Sequence, residues 1–161
     1  MAVNRDLILA GVAGGGTGAS LAWFAPKGTT LPTAATGAGS DLDAAFVDAG
    51  WVSEEGLVKG VEENSNDITA YGSLTPVRTL TTGARITFQL TFLESNTNVL
   101  SIYNRLPLTG AGSLTVGAGG TVNFTEGAQR TIEYAAVFDV VDGDNYIRAV
   151  VPALQVTDRS E

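Results

Sequence analysis

The chain contains no cysteine and no histidine among its 161 residues. Disulfide stapling, thiolate nucleophiles, imidazole bases and the commonest metal ligand are therefore missing together. Most catalytic designs lose their usual groups, and neither a cofactor nor a metal is expected. Positive charge is also scarce. Nine Lys and Arg stand against 17 Asp and Glu, giving a net charge of −8 and a pI near 4.4. A protein whose task is to grip the phosphate backbone carries a basic surface, so that class is disfavoured. Proline is sparse, with 5 residues against 20 glycines. Many Thr, Val and Ala accompany them, a composition that favours a mainly β domain with many turns. At 16.6 kDa the chain has the size of one domain and can bury a sizeable core.

A sustained membrane-length helix is missing too. No charge falls between Leu7 and Pro26, but Gly14, Gly15 and Gly16 weaken any helix there by roughly 1 kcal/mol each. Asp6 also cancels Arg5, so neither a signal peptide nor a spanning helix fits well. Gly14, Gly16 and Ala19 form a loose dinucleotide fingerprint, but Leu-Ala-Trp-Phe-Ala-Pro follows in place of a helix, and a Walker Lys-Ser/Thr pair is missing. The reading is a flexible arm over 1–18 and a single domain over 19–161, with a first strand around Ala19 to Ala25 closed by Pro26-Lys27-Gly28.

The most informative stretch is GARITFQLTFLE, Gly83 to Glu94. Ala84, Ile86, Phe88, Leu90 and Phe92 fall on one side of a strand; Arg85, Thr87, Gln89 and Thr91 fall on the other. One face is dry and the other wet. The region 29–80 reads as loop-rich. Within it, Asp41 caps a helix of one or two turns carrying Leu42, Ala45 and Phe46, with Asp43 in its first turn. Trp51-Val52, the turn Ser53-Glu54-Glu55-Gly56 and Leu57-Val58 read as a hairpin. The run Glu62-Glu63-Asn64-Ser65-Asn66-Asp67 reads as a polar loop, either simply solvated or a segment that orders only against a neighbouring subunit or ring. The glutamate pairs Glu54-Glu55 and Glu62-Glu63 suit surface charge better than a glycosidase acid and base.

Several short motifs occur in a telling order: Ala25-Pro26, Gly28-Thr29 and Leu31-Pro32-Thr33, then GWVSEEGL at Gly50 to Leu57, NDITAYG at Asn66 to Gly72, Val77-Arg78, and FLESN at Phe92 to Asn96. In this order the chain resembles the major tail tube proteins of long-tailed bacteriophages, particularly those infecting actinobacteria. The resemblance runs from about Leu21 to the end. It implies a mainly β sandwich or barrel-like tail tube fold with one flanking helix. It also implies hexameric rings that stack into a hollow tube whose inner wall is a continuous β-barrel. Some relatives add an immunoglobulin-like domain, for which this chain ends too early. The implied partners are further copies of the chain, tape measure, tail terminator and distal tail proteins. Double-stranded DNA would pass through without tight binding.

Beyond the central strand, Ser95 or Asn96 caps a helix over about 96–106, in which Val99, Leu100, Ile102, Tyr103 and Leu106 make one apolar stripe before Pro107. That stripe is expected to cover the sheet row Ile86, Phe88, Leu90 and Phe92. Two short strands follow, carrying Leu114, Val116, Val122 and Phe124 and joined at Gly117 to Gly120. A C-terminal hairpin spans 130–157. Ile132, Tyr134, Ala136, Phe138 and Val140 lie on one face of its first strand; Thr131, Glu133, Ala135, Val137 and Asp139 lie on the other. Asp142-Gly143 supplies the turn. Asp139, Asp142 and Asp144 lack the closing glutamate of a calcium loop. Pro152 places the return strand at an edge or at a bulge.

Arg85, Thr87, Gln89, Thr91, Glu133 and Asp139 are thus candidates to face a lumen. Glu54, Glu55, Glu62, Glu63, Asn64, Asn66 and Asp67 are candidates for contacts between subunits or rings. In that picture Arg85 is neutralised by a carboxylate on a neighbouring strand, and the negative balance keeps DNA from sticking. The alternative is a self-contained β-sandwich binding or decoration module for carbohydrate or a capsid surface, with Trp23, Trp51 and Tyr71 as a sugar platform.

Overall fold

The computed structural model describes residues 21–33, 37, 39–53, 55–125, 131–142 and 145–159. The expected arm, Glu54 and the turn residues Gly143 and Asp144 lie outside these. The chain divides into two compact units, one of Leu57–Leu90 and one made of the segments on either side of it.

The flanking unit is built on a four-stranded antiparallel sheet. Its strands are β1 (Ala22–Pro26), β2 (Val47–Asp48), β7 (Glu133–Asp142) and β8 (Asn145–Gln155), in the order β2-β1-β7-β8. The two inner strands are continuous apolar runs and are dry on both faces. Leu21 to Ala25 and Tyr134 to Phe138 are buried. Four small residues, Ala22, Ala25, Ala135 and Ala136, are among those wholly buried. Glu133 and Asp139, candidates to face a lumen, share a face of β7 with Ala135 and Val137, and Ala135, Val137 and Asp139 on that face are buried. Phe24 meets Phe138 and Phe92 edge-on, at 6.0 and 6.2 Å between ring centres. Truncating Phe24 to alanine would open the middle of this cluster at a cost of about 3–5 kcal/mol.

β8 is an end strand, and its register against β7 shifts between Tyr134 and Ala136, opposite the stretch that holds Pro152. Pro152 has no N–H for a ladder, which is why an edge and a bulge coincide there. The helix α1 is shorter than its apolar stripe suggests, Thr97–Tyr103. Asn96 caps it by accepting from the Val99 N–H at 2.9 Å. It stops before Pro107 because Arg105 turns left-handed (φ 53). The Arg105 and Leu106 N–H groups then return to the Ile102 and Ser101 carbonyls, a Schellman ending that buries Leu106. Val99 and Ile102 are buried in this unit, and the Tyr134 hydroxyl donates to the Leu106 carbonyl at 2.8 Å. Ile86, Phe88 and Leu90, which α1 was expected to cover, belong to the other unit.

The helix expected at Asp41 does not form. Asp41 is left-handed (φ 57), and Asp43 closes a turn by accepting from the Ala45 N–H. β5 (Thr115–Val116) and β6 (Val122–Asn123) pair with each other across a single 3-10 turn at Ala118–Gly120.

The second unit is one antiparallel hairpin, β3 (Val58–Ile68) and β4 (Arg78–Gln89). The run 62–67, expected as a loop, is therefore strand. Its residues have low strand propensity, and it is held by cross-strand pairing with 79–85. The Ser53 to Gly56 turn exists, closed by the Gly56 N–H on the Ser53 carbonyl, but its arms do not pair with each other. Val52 bridges to Phe92, and Val58 pairs with Gln89. β4 also starts earlier than expected, at Arg78, and ends at Gln89.

Candidate assembly surfaces

The hairpin sorts its residues by face. The register shift between Asn64 and Ser65 leaves Thr82 as an extra residue on β4, and its hydroxyl donates to the Asn64 carbonyl at 3.2 Å. Before that bulge, Arg85, Thr87 and Gln89 share a face with Glu62, Gly60 and Val58; Ala84, Ile86 and Phe88 share the other with Glu63, Val61 and Lys59. The alternation expected in β4 is present. Its apolar row, however, is not packed inside the hairpin: Ile86 is 56% exposed and Val61 55%.

Two groups of candidate residues thereby come together. Glu62, Asn64 and Asn66 fall on the same face as Arg85, Thr87 and Gln89, and Glu62 stands directly opposite Arg85. Glu63 and Asp67 fall on the opposite face, where Asp67 accepts from the Thr79 hydroxyl at 2.6 Å. Glu62 and Glu63 thus point to opposite sides of one strand and cannot serve as an acid and base pair. Thr91 lies in the flanking unit, where its carbonyl accepts from the Ser53 N–H at 2.8 Å. Glu55 is exposed beside that turn. At the connection between the strands, Tyr71 and Leu74 are fully exposed.

In the flanking unit, Glu133 pairs with Lys27 and accepts from Gln155 at 3.1 Å. Those two hydrogen bonds, Lys27 first, hold its carboxyl below the ordinary range. Asp139, a candidate to face a lumen, is buried inside this unit and paired with Arg148. It is 2% exposed, and its carboxylate accepts from Arg148 Nε at 2.7 Å, Arg148 Nη2 at 2.8 Å and the Gly39 N–H at 2.9 Å. Arg148 also donates to the carbonyls of Ser40 (2.9 Å) and Gly37 (3.2 Å) and to the Tyr146 hydroxyl, over whose ring it lies. The Tyr146 hydroxyl donates in turn to the Gly37 carbonyl. This clasp fastens Gly37, Gly39 and Ser40 to β7 and β8. The hydrogen bond to Asp139 raises the pKa of Arg148, and burial raises that of Tyr146. The clasp is absent from the sequence reading, although one signal existed. A turn one residue further along, pairing Asp142 with Asn145, sets Asp139 opposite Arg148; a turn at Asp142-Gly143 sets it opposite Tyr146. Of the proposed sugar platform, Trp23 is buried whereas Trp51 and Tyr71 are exposed.

Two features thus dominate: a long hairpin open on both faces, and a sheet that ends in an 11-residue edge strand. A family model described as phage tail tube protein matches residues 1–161. The chain belongs to the phage tail tube protein family. No curated protein and no solved structure matches it. Membership makes this a structural component of the virion tail, and such tail tube subunits self-assemble. Among the described residues of this tail tube protein, no helix is long and apolar enough to cross a membrane.

Proposed function

We propose that this tail tube protein polymerises as stacked hexameric rings into a hollow tube that conducts the phage genome into the host cell. One observation carries the proposal. β3 and β4 form a hairpin of 11 and 12 residues whose large apolar side chains, Val58, Val61, Ile68 and Ile86, are exposed. A two-stranded hairpin is marginal in water, and strands gain most when a sheet continues on either side. Neighbouring copies supply that continuation. Six copies joined around an axis close the sheet into a barrel and remove its edges.

In this reading the face bearing Arg85, Thr87, Gln89, Glu62, Asn64 and Asn66 lines the bore, and the apolar face with Ile86 and Phe88 turns into the wall. Glu62 opposite Arg85 compensates that cation, in keeping with a lining that does not hold phosphates. Arg78, at the loop end of the same face, stands opposite Ile68. Glu63, Asp67 and the connection with Tyr71 and Leu74 serve contacts between subunits or rings. The tube assembles in the bacterial cytoplasm with tape measure, tail terminator and distal tail proteins. The motif order from Gly50 to Asn96 favours the long-tailed type that infects actinobacteria.

Negative-stain microscopy of the purified chain tests the reading. Hollow filaments of stacked rings are expected, and these filaments leave the mobility of duplex DNA unchanged at physiological salt. A monodisperse monomer at high concentration that is retained by glycan resin would replace the tube with a binding module. Tubes that retard DNA would refute the non-adhesive bore.

A further inference from the structure

The edge of β8 is unusual in how little protects it. Natural edge strands discourage further pairing with outward charges, proline or a bulge. Among the described residues β8 is the end strand of its sheet, and between Tyr146 and Val151 its one charged residue is Arg148. That guanidinium is turned inward to Asp139, and its side chain is 6% exposed. Pro152 and the bulge guard only the stretch that follows. Left at the surface are Ile147, 51% exposed, and Val150.

We propose that the outer edge of β8 from Tyr146 to Val151 is where a second copy of this chain adds a strand, and that the added strand is β3, running antiparallel. The proposal rests on the tube reading above and names the edges that join. Three observations select β3. Its 11 residues match the length of β8. The bulge of the hairpin sits on β4, so β3 keeps a regular edge. Its exposed Val58 and Val61 are spaced as Ile147 and Val150 are, so antiparallel docking sets Ile147 against Val61 and Val150 against Val58, one apolar pair on each face. The same register puts Lys59 against Ala149 and Glu62 against the Tyr146 position, so no like charges meet. Joining a sheet edge to a hairpin edge is a head-to-tail contact, which repeats from copy to copy and forms a ring when its rotation closes.

The chain has no cysteine, so a pair of introduced thiols reports only on this contact. Facing residues on adjacent strands fall within disulfide reach. Assembled Ile147→Cys/Val61→Cys chains, mildly oxidised, are expected to run as covalent multimers on non-reducing gels, and either single variant as monomer. Ile147→Lys/Val150→Lys is expected to keep the circular dichroism of the parent and to form no filaments at tenfold the parent's threshold concentration. If parent tubes form while the thiol pair stays unlinked and the lysine variant polymerises normally, the edge assignment is wrong and the tube reading stands. If the parent chain remains monomeric at every concentration, the tube reading falls and takes this proposal with it.

Discussion

Replacing Asp139 by asparagine tests whether the clasp on Gly37, Gly39 and Ser40 is held by charge or merely by shape. The side chain keeps its volume. The carboxylate now accepts three hydrogen bonds at 2.7 to 2.9 Å, from Arg148 Nε, Arg148 Nη2 and the Gly39 N–H. An amide offers one oxygen and turns an NH2 toward a guanidinium that is also all donor. Arg148 then keeps its neutral partners, the Ser40 and Gly37 carbonyls, but loses its counter-charge in a site where its side chain is 6% exposed. Removing one partner of a buried pair costs about 3–5 kcal/mol. A domain is stable by about 5–15 kcal/mol, so Asp139→Asn should take a large share of that margin. Urea unfolding of the subunit, at a dilution where it does not associate, reads the loss as a lower midpoint at unchanged slope. Asp139→Leu/Arg148→Met should recover much of the unfolding free energy, because no buried charge remains to be desolvated. It should not restore protection of the Gly39 N–H in hydrogen exchange, since its acceptor is gone. A loss below about 1 kcal/mol for Asp139→Asn would mean that water screens the pair, and the argument from burial would fail.

Burial raises the Tyr134 pKa to about 12. The unfolded tyrosine ionises near 10, so over that interval the unfolded state binds fewer protons than the folded one. The Tyr134 contribution is therefore whole below pH 10 and falls by up to about 1.4 kcal/mol per unit as pH rises through 12. Tyr134→Phe should flatten that alkaline decline by up to one proton, and at neutral pH should cost about 1–3 kcal/mol for the orphaned Leu106 carbonyl; an unchanged alkaline slope in urea titrations would contradict the assignment. Asn96→Ala removes the acceptor for the Val99 N–H and the donor to the Ala49 carbonyl. A loss of about 1–2 kcal/mol is expected, partly recovered in Asn96→Asp, which keeps the cap; equal losses in both variants would mean that the cap contributes little.

How much was legible depends on where the physical signal resides. The helix start and the edge position of Pro152 were readable because each depends on the conformational preference of one residue: a capping asparagine, a ring without an N–H. The C-terminal hairpin was readable from the pattern of its strands but its register was not, since Asp142 pairs with Asn145 where a turn at Asp142-Gly143 was expected. The two faces of β4 were readable because alternation is a property of the strand itself. The strand at 62–67 was not. Both of its faces are polar, so it has no hydrophobic period, and its conformation is imposed by a partner strand. Asp139 was misplaced for a related reason. An aspartate on a strand looks like a wet-face residue until the register brings a guanidinium opposite.

By itself the sequence determined the chemistry this tail tube protein lacks, its acidic balance, its β character and, through the order of its short motifs, its kinship. Those follow from residue types and from spacings of a few positions. The tertiary structure alone decided that the dry core lies along β1 and β7, that Glu62 stands opposite Arg85, and that Arg148 is drawn inward to Asp139. Each of these depends on which distant segments become neighbours, and that choice is made by packing and cross-strand register, which no local pattern encodes.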